Sequence, residues 1–231
     1  EMTPEAEKYF DSLKETYASQ RPKSEALHKK ACRYMPGGDT RTATFFLPFP
    51  NFIERGEGAY MYDADGHKLL DFQNNYTSLI HGHAHKETVE AVCQQMARGS
   101  AYTAPFEKQI ELSGLLAERF PGIDLLRFTN SGTEANMHAL RIARAYTGKA
   151  KIIKTEGGYH GTTDVFEASV DPNIKKAGTL DSIKVIPESR GVSENALKDV
   201  LVAPFNDIER TAKIIEEHHH ETACMIIEPI M

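Results

Sequence analysis

The chain has 231 residues, which is long enough to bury a substantial core without disulfides or a structural metal. Its apolar fraction of 40% and charged fraction of 26% are those of a globular protein and exclude disordered, collagen-like and membrane-spanning classes. The net charge of −6 gives no basic field for nucleic acid or an anionic membrane. Three scattered cysteines and an acidic, polar N-terminal segment predict reduced thiols and a cytoplasmic protein.

The first part of the chain predicts two helices followed by antiparallel hairpins. The first helix is expected to begin at a Thr3 cap, and the second to begin at a Ser24 cap and end at the 36–38 turn. Between residues 45 and 72, aromatic and β-branched residues alternate with glycine-containing breaks, which is typical of hairpins. We assign residues 1–72 to the N-terminal segment of a small domain built of helices and β hairpins.

From about residue 79 onward, helical and strand patterns alternate, which favours an α/β fold with a mostly parallel sheet. Helices are predicted near Thr162 and over residues 86–98, 107–119, 133–146 and 208–219. Strands are predicted over residues 125–129, 151–154, 183–186, 200–203 and 224–228. We assign residues 73–231 to the first part of a large domain. An apolar strand at the C-terminal end predicts that the chain is a piece of a longer protein.

The sharpest local signal lies in residues 127–136, where a strand is predicted to turn through Ser131, Gly132 and Thr133 into a helix. Free N–H groups and the positive end of the helix dipole favour an anion there, and Gly132 lets a phosphate approach the backbone. A dianionic phosphate monoester would suit this turn. Ser131 and Glu134 also fit a plain capping box with nothing bound, and the motif alone leaves both interpretations open.

A glycine-rich loop, residues 156–161, follows the strand predicted over residues 151–154. Ligands of open α/β sheets bind beyond the carboxyl ends of the strands, so this loop and the Ser-Gly-Thr turn are expected at one edge. Tyr159 could stack on a planar ring, and the alternative is an exposed aromatic residue in an ordinary turn. Arg41, delivered by the tight turn that follows the second helix, would suit a carboxylate held by two guanidinium nitrogens; the alternative is a solvated arginine.

Two other chemistries find little support in the sequence. The histidine-rich segments 81–85 and 218–220 lack a helical pair of histidines with a general-base carboxylate, so we predict no metal site. A metal-dependent hydrolase built on these histidines therefore stays a weak alternative. No G-x-S-x-G segment occurs, which argues against a serine hydrolase of the α/β type.

Four motifs in order resemble the class III aminotransferases, the pyridoxal-phosphate enzymes that include glutamate-1-semialdehyde aminomutase. They are NSGTEAN at 130–136, EGGYHG at 156–161, FND at 205–207 and IIEP at 226–229. The upstream hairpin GEGAYMYDADGHKLLDF and the GHAH loop add to a match that runs from about residue 26 to the end. MPGGDTR and the run 130–135 look closest to the β-amino-acid branch, of which β-phenylalanine aminotransferase is the named example.

The resemblance implies a fold-type I architecture, with a large domain around a mostly parallel sheet and a small α+β domain, both incomplete here. It implies pyridoxal 5′-phosphate as the cofactor, with its phosphate on Ser131, Gly132 and Thr133. Tyr159 would stack on the pyridine ring and His160 would lie beside it. The family also implies a homodimer with shared active sites that acts on small amino acids and oxo acids.

Further roles follow from the same resemblance. Asn206 and Glu228 would lie near the cofactor, Arg41 would receive a substrate carboxylate, and Tyr76 would line the same pocket. In this family the Schiff-base lysine lies after the Glu-Pro motif, beyond Met231, so no catalytic residue is assigned in this chain and the chain alone should be inactive.

We therefore expect a transaminase that moves an amino group from a β-amino acid to an oxo acid such as 2-oxoglutarate or pyruvate. The alternative within the family is a glutamate-1-semialdehyde 2,1-aminomutase. The alternative of another class is a non-catalytic homologue that binds a phosphate ligand and lacks the lysine.

Overall fold

The computed structural model describes residues 3–41 and 44–230, so the outermost residues of the two predicted domains lie outside it. The described chain forms two compact units, one up to Pro105 and one from Phe106 onward. The boundary predicted after Phe72 does not coincide with this division, and the assignment of small and large domains stays a prediction. Among the described residues, no helix is long and apolar enough to cross a membrane.

The first unit begins with two helices whose starts are fixed in different ways. α1 (Pro4–Gln20) begins at the predicted cap, where the Thr3 hydroxyl accepts a first-turn N–H at 3.3 Å. α2 (Pro22–Ala31) begins earlier and ends earlier than predicted, with Ser24 inside the helix and buried. The Asp65 carboxylate caps α2 instead and accepts two first-turn N–H groups at 2.7 and 2.9 Å. A cap from a residue so distant in sequence leaves no local signal.

The predicted β layer is confirmed as a three-stranded antiparallel sheet in the order β1-β2-β3. Its strands are β1 (Ile53–Glu57), β2 (Tyr60–Asp63) and β3 (Lys68–Leu70). The Asp63 carboxylate closes the β2–β3 turn by accepting the N–H of His67 at 2.8 Å. A short 3-10 turn (Pro36–Gly38) precedes this sheet.

Two further helical segments follow in the first unit. α3 (Asn74–Thr77) is a single left-handed turn, in which all four residues have positive φ angles. α4 (Lys86–Met96) confirms the helix predicted over residues 86–98, shorter by two residues at its end. The GHAH loop between α3 and α4 pairs with the β1–β2 hairpin through an antiparallel bridge from His83 to Gly58.

The second unit is built around a parallel sheet in the order β7-β4-β8, which confirms the α/β prediction. The sheet strands are β4 (Lys151–Thr155), β7 (Val200–Ala203) and β8 (Thr222–Ile226). A separate antiparallel pair consists of β5 (Gly178–Thr179) and β6 (Ser182–Ile183). The helices are α5 (Glu107–Arg119), α6 (Gly132–Thr147), α7 (Glu194–Leu197) and α8 (Ile208–His218).

Three element predictions in the second unit are wrong or only partly right. Residues 125–129 form no strand, because no neighbour among the described residues pairs with them, and Leu125 is 92% exposed. The segment after Thr162 forms turns instead of a helix, because it buries Phe166 and Ala168 in the core beside β4 and β7. The strand predicted over residues 183–186 shrinks to the short β6.

Candidate functional site

The carboxyl ends of three parallel strands lie at one edge of the second unit's sheet. Thr155 at the end of β4 is in register with Ala203 of β7, and Lys154 is in register with Ile226 of β8. The loop after β4, the turn that holds Asn206 and the segment that holds Glu228 therefore all leave the sheet at the same edge. The loop after β4 therefore lies at the predicted edge, and its role in ligand binding stays a prediction.

At the start of α6, the capping interpretation and the anion-binding interpretation are compatible. The Ser131 hydroxyl accepts the Glu134 N–H at 3.1 Å, and the Glu134 carboxylate accepts the Asn130 N–H at 2.6 Å. The N–H groups of Gly132 and Thr133 have no acceptor within the helix, because they belong to its first turn. A Cβ atom on Gly132 would meet no atom within 4 Å, so open space lies on the Cβ side of this residue.

The loop of residues 156–162 is docked on this helix start. The Thr133 hydroxyl accepts the Thr162 N–H at 3.3 Å, and the Asn136 side-chain amide donates to the His160 carbonyl at 2.9 Å. Gly161 has a φ of +99°, and a Cβ atom there would lie 2.7 Å from the Thr133 Cα. Only glycine allows this approach. We call the two segments 130–136 and 156–162 the cradle.

Glu228 holds the middle of the cradle loop. Its carboxylate accepts the Tyr159 N–H at 2.9 Å, while Tyr159 is 57% exposed. His160 beside it is only 5% exposed. Burial and the nearby Lys154 charge lower the pKa of His160, and Glu228 only partly opposes them, so the imidazole is neutral at pH 7.

Two buried polar atoms near the cradle have no hydrogen-bond partner among the described residues. They are the Thr155 hydroxyl oxygen and the His160 Nε2 atom. Both lie close to Gly158, where a Cβ atom would come within 2.9 Å of the hydroxyl and 3.0 Å of the ring nitrogen. Orphaned buried polar atoms are uncommon and mark positions where a further polar group completes a site.

Lys154 is fully buried in β4, although sequence reasoning did not assign it a role. Its ammonium donates to the carbonyl oxygens of Phe166 and Ala168, so it fixes the segment that follows the cradle loop. Burial lowers the pKa of Lys154 to about 8, while the carboxylates of Glu188 and Glu228 favour its charged form. A lysine that directly follows the apolar pair Ile152 and Ile153 in a predicted strand is the sequence signal that could have found it.

The predicted carboxylate ligand Arg41 lies in the first unit, in a turn organised by Asp39. The Asp39 carboxylate accepts the N–H groups of Thr40 at 2.6 Å and Arg41 at 3.1 Å, and it also accepts the Thr44 hydroxyl. These hydrogen bonds, led by that from Thr44, hold the pKa of Asp39 below its usual value. The exposed guanidinium donates from Nη1 to the Asn75 side-chain oxygen at 3.3 Å.

The structure thus brings Arg41 next to the turn that carries the predicted pocket residue Tyr76, which is half exposed. Asn75 was missed by sequence reasoning, as was Asn136 in the cradle. Asn136 follows Thr133 by three residues on a helix and therefore shares its face, which was an available signal. Asn206 lies exposed in the turn between β7 and α8, with a φ of +56°. Its predicted role near a cofactor stays a prediction.

The histidine-rich segments show local pairings. The rings of His81 and His85 stack at 4.7 Å between centroids, and His218 contacts Glu221 at 2.7 Å. Across residues 3–41 and 44–230, no group of three or more histidine, cysteine, aspartate or glutamate side chains is placed to hold a metal ion.

The cradle therefore offers two first-turn backbone N–H groups and two hydroxyl groups on a segment docked against the loop of the exposed Tyr159. The Lys154 ammonium and the neutral His160 imidazole are both buried, the histidine within the cradle and the lysine beside it. The combination suits a planar ligand that carries a phosphate monoester.

Comparisons with known proteins identify the family and the fold of the chain. A family model described as Aminotransferase class-III matches residues 44–231. The glutamate-1-semialdehyde 2,1-aminomutase of Francisella philomiragia is 42% identical over 211 residues, which cover 90% of this chain and 47% of the relative. An omega-transaminase from Sphaerobacter thermophilus shares the fold with a TM-score of 0.86 and 45% identity, over 90% of this chain and 47% of that structure.

A third similar protein is the β-phenylalanine aminotransferase from Variovorax paradoxus, with a TM-score of 0.82 and 36% identity, over 97% of this chain and 47% of that structure. The chain thus spans about half the length of the relatives it matches. Its fold is part of the fold-type I aminotransferase fold, as the four ordered motifs predict. The chain belongs to the class-III aminotransferase family.

Proposed function

We propose that this chain supplies the cofactor cradle and the carboxylate site of a pyridoxal-phosphate enzyme that moves an amino group. The observation that carries the proposal is the cradle itself, where the first-turn N–H groups of Gly132 and Thr133 have no acceptor within the helix, Gly132 is open on its Cβ side, and Tyr159 on the docked loop is exposed. When bound, pyridoxal phosphate supplies an electron sink for the carbon that carries the amino group. The protein supplies binding, orientation and electrostatics.

Each cradle residue has a physical task in this proposal. Ser131, Gly132 and Thr133 hold the phosphate through donors already fixed by the helix start. Tyr159 covers one face of the pyridine ring, because Glu228 fixes its backbone while its ring stays free. The neutral His160 adds no positive charge next to the ring.

Arg41 is the proposed ligand of the substrate carboxylate, and Tyr76 lines the same pocket. The support for this role comes from the contacts of Arg41 within the first unit. Asp39 fixes the backbone of Arg41, and the guanidinium is exposed with one nitrogen on Asn75, which leaves its other donors for a carboxylate.

Two activities are candidates for the intact protein, an aminomutase and a transaminase. The curated relatives carry the name glutamate-1-semialdehyde 2,1-aminomutase, which supports the aminomutase better than the transaminase that sequence analysis ranks first. The transaminase stays a second candidate, because an omega-transaminase is 45% identical and a β-phenylalanine aminotransferase 36% identical. Turnover of the semialdehyde without an added amino acceptor would establish the aminomutase. Turnover of β-phenylalanine that depends on 2-oxoglutarate or pyruvate would establish the transaminase.

A non-catalytic phosphate-binding homologue is the rival of another class. The intact protein should be incubated with pyridoxal phosphate, reduced with borohydride and weighed by mass spectrometry. One stable cofactor adduct on a lysine supports the enzyme. Reversible binding of pyridoxal phosphate that leaves no adduct after reduction would favour the non-catalytic homologue.

Replacing Arg41 with Ala should raise the KM for carboxylate-bearing donors about 10- to 100-fold, because a charge-assisted hydrogen-bond pair is lost. Steady-state kinetics on the holoenzyme measure this effect. Arg33→Ala removes another exposed arginine of the same unit and should leave the KM unchanged. An Arg41 variant that behaves like the Arg33 variant would remove Arg41 from the substrate site.

We further propose a homodimer with shared active sites and a cytoplasmic location. Large apolar side chains such as Leu125, Tyr146 and Ile174 are more than 85% exposed in the described chain, which supports a covering surface from the rest of the protein or from a partner subunit. Cys32, Cys93 and Cys224 are all free thiols, which suits a reducing compartment. Size-exclusion chromatography with light scattering tests the dimer.

A further inference from the structure

The α3 turn has an unusual backbone. Its four residues, Asn74, Asn75, Tyr76 and Thr77, have φ angles of +50°, +47°, +55° and +65°. The left-handed region is tolerated by asparagine, but it is costly for a bulky residue such as Tyr76 and for a β-branched residue such as Thr77. Such a backbone persists only where surrounding contacts fix it, and it is often found where a side chain must be held for function.

Asp71 supplies those contacts. One carboxylate oxygen accepts the N–H groups of Gln73 at 3.0 Å and Asn74 at 2.8 Å, at the entrance to the turn. The other oxygen lies 2.7 Å from Nε2 of His83. The Asp71 side chain is 5% exposed, so its carboxylate has little contact with solvent and contacts the turn and His83 instead.

His83 is itself anchored to the β1–β2 hairpin. Its backbone exchanges two hydrogen bonds with Gly58, at 2.8 and 2.9 Å. Its ring lies against Gly56, where a Cβ atom would come within 2.7 Å of Nδ1. The position of Asp71 is therefore set by the sheet and not by the turn that it holds.

The α3 turn also contacts Arg41 through Asn75. The Asn75 amide nitrogen donates to the Ser78 hydroxyl at 2.9 Å, which fixes the orientation of the amide. The Asn75 oxygen then accepts Nη1 of Arg41 at 3.3 Å. A series of hydrogen bonds runs from the hairpin through His83 and Asp71 to the Asn74 N–H, and the next residue, Asn75, contacts the guanidinium.

We propose that Asp71, anchored by His83, is a positioning residue that orients Arg41 for the substrate carboxylate through the left-handed turn and Asn75. This inference rests on the proposed function of Arg41. It adds that the carboxylate site is set by a side-chain network that reaches back to the β sheet.

The test uses the intact holoenzyme and two probes that do not react. 3-Phenylpropionate carries a carboxylate, and 3-phenylpropanamide has the same shape without the charge. In Asp71→Ala, the Kd for the carboxylate should rise about tenfold, because one charge-assisted contact is lost, and the Kd for the amide should stay unchanged. Calorimetric titration measures both values, and the cofactor absorbance spectrum should not change.

Asn75→Gly is the second variant, because glycine keeps the left-handed backbone while the amide is lost. It should show the same selective rise, and the double variant should be no weaker than the weaker single variant. If Asp71→Ala fails to fold, Asn75→Gly decides the question.

The Arg41→Ala variant distinguishes a failure of the proposed function of Arg41 from a failure of the positioning role of Asp71. If Arg41→Ala binds the carboxylate normally, the proposed function of Arg41 fails. If Arg41→Ala weakens the carboxylate while Asn75→Gly and Asp71→Ala do not, only the positioning role is overturned. Equal weakening of both probes in either positioning variant would also overturn it, because a general loss of structure has no preference for charge.

Discussion

The cradle in the second unit and the Arg41 region in the first unit are held in place by different means. In the second unit, a parallel sheet fixes where the cradle loop and the segments that hold Asn206 and Glu228 begin, and the cradle backbone approaches closely at Gly161. In the first unit the sheet has only three short antiparallel strands, and aspartates fix the turns. Asp39, Asp65 and Asp71 each accept two backbone N–H groups.

This difference extends to electrostatics. Burial raises the pKa of Asp65 and, less strongly, those of Asp39 and Asp71, but hydrogen bonds outweigh it in all three and lower the pKa, so these residues act as anions. At Lys154 beside the cradle and His160 within it, burial is the largest cause and lowers the pKa values. A site made by sheet register depends on close packing, whereas a site made by carboxylates depends on their ionisation. Three variants test this comparison, from the largest expected effect to the smallest.

Gly161→Ala should be the most damaging. The new Cβ atom would lie 2.7 Å from the Thr133 Cα, and the backbone keeps a φ of +99° that alanine disfavours. Overpacking and backbone strain together should cost about 3 kcal/mol of unfolding free energy and abolish pyridoxal-phosphate binding. Urea unfolding and absorbance titration of the cofactor measure the two effects.

The matched control is Gly122→Ala in the same unit. Gly122 has a φ of +95°, and a Cβ atom there would meet nothing within 4 Å, so only strain of about 1 kcal/mol is expected. Equal losses of unfolding free energy in Gly161→Ala and Gly122→Ala would show that the close approach of Gly161 to Thr133 contributes nothing to the stability of the cradle.

Asp65→Ala should cost about 2 kcal/mol at pH 7, because the cap of α2 and the Ser24 hydroxyl bond are both lost. The folded pKa of Asp65 lies below the unfolded value of 3.8, so its stabilisation is complete above that value. This stabilisation is lost as the pH falls through the folded pKa. The difference in unfolding free energy between Asp65→Ala and the unchanged protein should therefore shrink at acid pH. Urea unfolding at pH 7 and at acid pH measures this.

Asp11→Ala is the control for Asp65→Ala, because Asp11 is exposed and its carboxylate pairs with Lys14 on the same helix. Its effect should be near zero at both pH values. A pH-independent loss in Asp65→Ala would argue against a carboxylate-dependent first unit.

Ser131→Ala should have the smallest of the three effects. Loss of the N-cap hydrogen bond to Glu134 should cost about 1 kcal/mol and should also weaken cofactor phosphate binding. Ser193→Ala is the control, because Ser193 precedes α7 without a side-chain cap bond and should cost almost nothing. Equal affinity of the Ser131 variant and the unchanged protein for pyridoxal phosphate would remove this hydroxyl from the cradle.

Local patterns predicted much of the element order. α5 has the predicted bounds, and α6, α8 and β4 lie within one or two residues of them, because apolar period, caps and breaks agree there. Residues 125–129 fail as a strand, because a strand exists only through a paired neighbour. Ser24 fails as a cap, because a distant carboxylate outcompetes it.

The sequence by itself determined the family, the α/β pattern and the cradle motifs, because the Ser-Gly-Thr turn and the glycine-rich loop are chemical requirements written in contiguous residues. The tertiary structure alone decided how Gly161 meets Thr133, why Lys154 is buried and how Asp71 joins His83 to the turn that contacts Arg41. These contacts join residues far apart in the chain. Their partners are chosen by sheet register and packing, which no local pattern encodes.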